Sequence, residues 1–254
     1  MTSTSASTST SASTSTSIQI AVLNPSTVVS DAEVKAVLPA LQTQVSRDFA
    51  AAWGLDARLR FVPRSERPAA AEWWLAVLDD SDQAGALGYH DVTQDGLPLG
   101  KVFAKTDRHY GESWTCTASH ELLEMLADPA INLTVFEQEA HGGRLYAMEV
   151  CDACEAEDFG YEIDGVLVSD FVFPAWFQSF RKAHGTRFDH TGHIGKPFEL
   201  IKGGYIGVYD ITQGNGWRQI TADRENFRAR PPVGSRRERR AIPAAQRLRS
   251  RVFE

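Results

Sequence analysis

Ser119-His120-Glu121-Leu122-Leu123-Glu124-Met125-Leu126-Ala127-Asp128-Pro129 places a histidine and two glutamates among leucines just ahead of a proline. The segment Thr115 to Ala127 reads as a helix, ended at Asp128 because a residue before proline disfavours helical angles. Positions four apart on a helix lie one turn above each other, so His120 and Glu124 project from one face and can grip a metal ion, with Glu121 beside them. Leu122, Leu123 and Leu126 cover the opposite side, which anchors the helix in a core while its polar face meets a cleft. The bland alternative is an exposed acidic helix face carrying a stray histidine.

The spacing resembles the zinc-binding helix of zincins, in which two ligands one turn apart hold the metal and the adjacent Glu takes a proton from water. The departure is Glu124, which stands where a second His is usual. Zn2+ is therefore the expected cofactor, with His120 and Glu124 as ligands and Glu121 as the catalytic base. A catalytic zinc needs a third protein ligand and an open position. Downstream, Met148-Glu149-Val150-Cys151-Asp152-Ala153-Cys154-Glu155 supplies candidates. Glu149 is the first choice, because a Glu about 25 residues beyond the helix ligand repeats the order of glutamate-liganded zincins. Asp152 is the second.

The two motifs together, H-E-L-x-E-M-x-x-[DN]-P and E-[IV]-x-D-x-C, resemble the core of the phosphate-induced, EXORDIUM-like plant proteins and of bacterial proteins that share their metallopeptidase-like motif. The matching positions are His120, Glu121, Leu122, Glu124, Met125, Asp128 and Pro129, then Glu149, Val150, Asp152 and Cys154. Gly88-Tyr89-His90 also resembles that family's G-Y-H, and His90 is a candidate to line the cleft. The resemblance spans about residues 85–160. It implies a zincin-like fold, with His120, Glu124 and Glu149 on the metal and Glu121 as the base.

Outward from this core, Ile18-Gln19-Ile20-Ala21-Val22-Leu23 reads as a strand ended by Asn24-Pro25. Ser30-Asp31-Ala32-Glu33 is a capping box, and Val34, Leu38, Leu41, Val45 and Phe49 follow at helical spacing up to Gly54, with a kink expected at Pro39. Leu59 to Val62, Trp73 to Leu78, Gly85 to Val92 and Leu99 to Ala104 read as strands. Trp73 to Leu78 is apolar on both faces and so belongs in the middle of a sheet. In such folds an edge strand beside the helix pairs with extended substrate, and Leu99 to Ala104 has the right place in the chain. Leu133 to Glu137 and Arg144 to Val150 read as a hairpin. Phe171, Phe173, Trp176, Phe177 and Phe180 read as core.

The fold class is α+β: a mixed sheet with the long N-terminal helix on one face and the active-site helix on another, closed by irregular C-terminal segments. Residues 1–17 are a Ser/Thr/Ala repeat with nothing to bury and read as a disordered leader. Residues 18–227 form a single domain, and residues 228–254 an Arg/Pro-rich basic tail.

The chain has 254 residues, 43% hydrophobic and 23% charged, with a net charge of −7, which suits a globular protein. The tail holds nine Arg against two Glu, a local +7, so residues 1–227 carry −14. An acidic body argues against nucleic acid as a partner, and the tail lacks interleaved aromatics for base stacking. No apolar run reaches the ~18 residues of a membrane span. The N-terminus has neither the basic start nor the apolar segment of a secretory signal, so the expected location is cytoplasmic.

The leading functional expectation is a zinc-dependent hydrolase, most simply a metallopeptidase acting on a peptide or protein, with Tyr146 or Tyr161 as oxyanion donors. One alternative is a closed structural zinc site made of Cys116, His120, Cys151 and Cys154, since Cys116 lies one turn before His120 and C-x-x-C is zinc-knuckle spacing. Another is a catalytically inactive zincin-like binding protein. His184, His190 and His193, with Asp189-His190-Thr191-Gly192-His193, form a small cluster that could bind a metal, but its loop-like spacing reads as a solvated loop or as support for a neighbouring site.

Overall fold

The computed structural model describes residues 17–223 apart from 84 and 215, so all of the leader but Ser17, and the whole basic tail, lie outside the described residues. Helices and sheets are mixed in the α+β manner. Strand β1 (Ile18–Leu23) lies between β2 (Ala57–Val62) and β3 (Trp73–Leu78), parallel to both. Beyond β3 come β5 (Pro98–Phe103), parallel to it, and β4 (Gly88–Val92), antiparallel to β5, giving the order β2-β1-β3-β5-β4. The doubly apolar β3 is the central strand, as its sequence requires.

Strand β5 is interior, which corrects the expectation that it forms the edge. Gly96, at φ 79°, makes a tight turn in which the Thr93 N–H donates to the Leu97 carbonyl at 2.6 Å. That turn lays β4 back along the outer side of β5, and β4 takes the edge.

Between β1 and β2 the chain runs helically through α1 (Asp31–Thr43), a π-helical segment Gln44–Phe49, and α2 (Ala50–Trp53). The Ser30 hydroxyl accepts from the Glu33 N–H, and the Glu33 carboxylate accepts from the Ser30 N–H at 2.7 Å, which completes the capping box. Gly54, at φ 69°, ends the run. Pro39 sits inside α1, but the departure from α geometry comes one turn later, at Gln44, whose Nε2 donates to the Ser169 carbonyl at 2.9 Å. A π turn of this kind re-aims inward side chains, and Gln44, Val45, Asp48 and Phe49 are all buried.

After β5 the chain forms α3 (Ala104–Tyr110), which the sequence reading missed, and α4 (Trp114–Ala127), the motif helix. The Ser113 hydroxyl accepts from the Thr115 N–H at the start of α4. Side chains alternate along strands, so Ile20, Val22, Leu75, Val77 and Val102 share one face. They form one apolar cluster with Val34, Leu41, Val45 and Phe49 of the N-terminal helical run and with Leu122, Leu123 and Leu126 of α4. Both helices therefore lie on the same face of the sheet, not on opposite faces as expected. The other face keeps a smaller cluster of Ala21, Leu23, Val62, Ala76 and Leu99.

A second, antiparallel sheet has the order β11-β10-β7-β6, built from β6 (Thr134–Glu139), β7 (Gly142–Ala147), β10 (Tyr205–Asp210) and β11 (Trp217–Thr221). The hairpin β6–β7 stands where it was expected, but its second strand ends at Ala147 and not at Val150, so Glu149 lies beyond the strand. A short hairpin joins β8 (Tyr161–Ile163) to β9 (Val166–Val168). Strands β8 to β11 replace part of the irregular C-terminal region that was expected. Phe171 and Trp176 are fully buried and Phe177 nearly so, but Phe180 is 73% exposed and leaves the expected core list.

The α3–α4 junction holds a buried acid. Asp107 is 0% exposed; its Oδ1 accepts from the Thr117 hydroxyl at 2.8 Å, while Oδ2 has no hydrogen-bond partner. Burial, reinforced by Glu157, Glu112 and Glu121, pushes its pKa from 3.8 to about 7. Between those values the folded protein holds a proton that the unfolded chain has released, so this group favours the fold at low pH and loses that effect as pH rises through about 7. Asp107→Asn should remove the loss. Thermal melts at pH 4 and pH 8 are expected to show the variant gaining on the parent at the higher pH.

Candidate metal centre

Helix α4 presents His120, Glu121 and Glu124 to one side while Leu122, Leu123 and Leu126 are at most 2% exposed on the other. Strand β4 faces this polar side. Its register against β5 pairs His90 with Gly100 and Gly88 with Val102, so His90 and Gly88 point toward the helix. The third contribution follows β7, where the chain continues through Met148, Glu149 and Val150 into a 3-10 turn at Asp152–Cys154. The Cys151 N–H donates to Glu124 Oε1 at 3.3 Å, and the Val172 N–H to the Val150 carbonyl at 2.7 Å, which hold this segment against the helix.

These three elements gather five donor side chains around Glu124, of which all but the partly exposed His120 are buried. Glu124 Oε1 is 3.4 Å from His120 Nε2, which is 3.3 Å from Asp152 Oδ1. Glu124 Oε2 is 3.5 Å from His90 Nδ1, and His90 Nε2 is 3.8 Å from Glu149 Oε2. Glu121 Oε2 lies 3.8 Å from His90 Nδ1, beyond hydrogen-bonding distance, and accepts no hydrogen bond although Glu121 is 5% exposed.

The spacing bears on what the cluster can hold. Charge-assisted N–H···O bonds close to about 2.7–2.9 Å. Two ligand atoms about 2.1 Å from a tetrahedral zinc stand about 3.4 Å apart. The separations of 3.4 and 3.3 Å from His120 Nε2 to Glu124 and Asp152, and of 3.5 Å from His90 Nδ1 to Glu124, match the second pattern, whereas Glu149 faces the other ring nitrogen of His90. Two sets have donor atoms all within 4.8 Å of one another: His120, Glu124 and Asp152, and His90, Glu124 and Glu149. The donor set thus fits a divalent cation in its chemistry as well as its spacing.

The expected ligands His120 and Glu124 are together. Glu149, the first choice for third ligand, is carried to His90, and Asp152, the second choice, stands beside His120. His90, considered only as a cleft residue, is a full member of the cluster. The signal for it was the G-Y-H triplet; what was missing was the antiparallel register that turns it toward α4.

Charge coupling is strong. Burial alone would lower the His120 pKa, but Glu124, Asp152 and Glu121 raise it well above the ordinary histidine range. Glu124 is held below the ordinary carboxylate range because His120 and His90 outweigh the cost of its burial. Burial and the neighbouring Glu124 push Glu121 up. The same two causes push Asp152 to about 6.

The expected phenols are elsewhere. The Tyr161 hydroxyl donates to Asp48 at 2.9 Å, and the Tyr146 ring packs on Phe198. The phenol that reaches the cluster is Tyr205 of β10, hydrogen-bonded to Asp152. Cys116, Cys151 and Cys154 are buried free thiols, and none joins a potential metal group among the described residues. Burial pushes the Cys116 thiol up to about 12 and raises Cys151 and Cys154 as well.

A third potential group, Asp170, Asp189 and His193, is already engaged. Asp170 Oδ1 accepts from the N–H groups of Phe171, His190 and Thr191, and Asp189 from those of His193 and Ile194, which pins the loop. His190 stacks on Phe171 and belongs to this packing.

No family model, curated protein or solved structure matches the chain.

Two glycines let the helix sit close to the sheet. A Cβ at Gly100 would stand 2.8 Å from Leu75 Cδ1, and one at Gly88 would stand 2.7 Å from Glu121 Oε1 and 2.8 Å from the Lys101 carbonyl. The backbone carbonyl cannot give way as a flexible side chain can. Gly88→Ala should therefore cost about 1–3 kcal/mol through overpacking, measured by urea unfolding of parent and variant.

Proposed function

We propose that this protein is a zinc-dependent hydrolase whose substrates are peptides, with His120, Glu124 and Asp152 on the ion and Glu121 as the general base. The observation that carries the reading is the one-turn pair His120 and Glu124, with Glu121 beside it, meeting further buried acids at ligand spacing. A zincin-like fold, as the motif resemblance implies, agrees with a mixed sheet whose terminal strand runs beside the motif helix.

When bound, the cation supplies a Lewis acid that polarises a carbonyl and acidifies water. Glu121 does the proton work. Its carboxylate Oε2 is free of hydrogen bonds, and a pKa raised by burial brings it nearer to the operating pH, where a base and its conjugate acid both serve. Glu121 takes a proton from the attacking water and returns it to the leaving amine. Tyr205, hydrogen-bonded to Asp152, orients that ligand. Strand β4 gives the substrate a sheet edge along which an extended peptide can add as a further strand. The edge brings the peptide past His90 and Glu121.

The test is elemental mass spectrometry of the purified full chain together with cleavage of a quenched fluorescent peptide library. Glu121→Gln is expected to retain zinc and lose at least about 100-fold in turnover. Glu124→Ala is expected to lose the metal and the activity. A parent protein that binds no zinc, or a Glu121→Gln variant that cleaves as fast as the parent, overturns the proposal.

A further inference from the structure

Glu124 faces two histidines at once, and they approach from opposite structural elements. Its Oε1 is directed to His120 on its own helix, 3.4 Å away, and its Oε2 to His90 on the edge strand, 3.5 Å away. Each histidine has a further acid of its own: Asp152 at 3.3 Å from the same Nε2 of His120, and Glu149 at 3.8 Å from His90 Nε2, the ring nitrogen other than the one that faces Glu124. The two triads share Glu124 and nothing else.

The charge balance points the same way. Glu121, Glu124, Glu149 and Asp152 are 4–7% exposed. No Lys or Arg forms an ion pair with Glu121, Glu124 or Asp152 among the described residues; the basic groups facing them are the two histidines. With both imidazoles neutral as ligands, one divalent cation leaves the three carboxylates of Glu121, Glu124 and Asp152 short of balance, and buried charge without compensation is costly. The Glu121 oxygen, 95% buried and without a hydrogen bond, faces His90 at the side of the second triad.

We propose that the centre is binuclear: one divalent transition-metal ion on His120, Glu124 and Asp152, a second on His90, Glu124 and Glu149, with the Glu124 carboxylate bridging them. Nitrogen and carboxylate donors of this kind suit zinc or manganese. The inference rests on the cluster being a metal centre, as in the hydrolase proposal, but adds a second ion to it. It also gives His90 and Glu149 a common role that a single ion on the helix pair leaves unassigned.

Native mass spectrometry of the metal-stripped full chain, titrated with Zn2+, counts the ions directly. The parent should saturate at two zinc ions per chain, and His90→Ala and Glu149→Gln at one each. Glu124→Ala, which removes the ligand common to both sites, should bind neither ion. Loading with Mn2+ should then give an exchange-coupled electron paramagnetic resonance spectrum in the parent and isolated-ion signals in His90→Ala. Far-UV circular dichroism checks the fold of each variant, and His90→Asn replaces His90→Ala if the latter unfolds.

A parent that saturates at one zinc overturns the binuclear inference and leaves the single-ion hydrolase standing. A parent that takes two but keeps both in His90→Ala and Glu149→Gln also overturns it, since the second ion then lies elsewhere. A parent that binds none overturns both readings.

Discussion

Four carboxylates share one buried pocket with two imidazoles, and the need to balance that charge is the constraint on which the rest of the site depends. Desolvation penalises each acid separately, yet Glu124 stays ionised because histidines approach both of its oxygens. Its charge in turn raises the His120 pKa and, together with burial, those of Glu121 and Asp152. Histidine and carboxylate ligands bind a metal in their deprotonated forms, so a cation held here would compete with protons for the same groups.

Such a pocket is tolerable only on a rigid support. Helix α4 is held by Leu122, Leu123 and Leu126 in the same apolar cluster that receives the N-terminal helical run and the inward side of the five-stranded sheet. Gly88 and Gly100 remove the side chains that would otherwise separate the sheet from Glu121. The acidic segment after β7 is fixed from both sides, by the Cys151 N–H on Glu124 and by the Val172 N–H on the Val150 carbonyl. Polar groups are thus placed by apolar packing and backbone hydrogen bonds, which keeps their spacing when no ion is present.

Local rules read well where the pattern was long or strongly marked. The capping box at Ser30, the motif helix up to Asp128, the central strand Trp73–Leu78 and the hairpin β6–β7 all stand where periodicity and turn residues put them. Short elements read poorly. The seven residues of α3 are too few to display a period, and β10 and β11 mix glycine and polar residues that resemble loop. Phe180 was grouped with the core by composition alone, but it follows the buried turn around Trp176 and projects outward.

The sequence by itself determined that His120 and Glu124 share a helix face with Glu121 beside them, because a helical turn is a local geometry set by residue spacing. It also confined the remaining acidic candidates to Glu149 and Asp152. Only the tertiary structure decided that Asp152 stands beside His120 while Glu149 goes to His90, and that β4 rather than β5 forms the edge. These are long-range outcomes of strand register and of one 3-10 turn, in which a shift of a single residue reverses the direction of a side chain. His90 is the clearest case, since it lies 30 residues before His120 in the chain and reaches the centre only through the antiparallel pairing of β4 with β5.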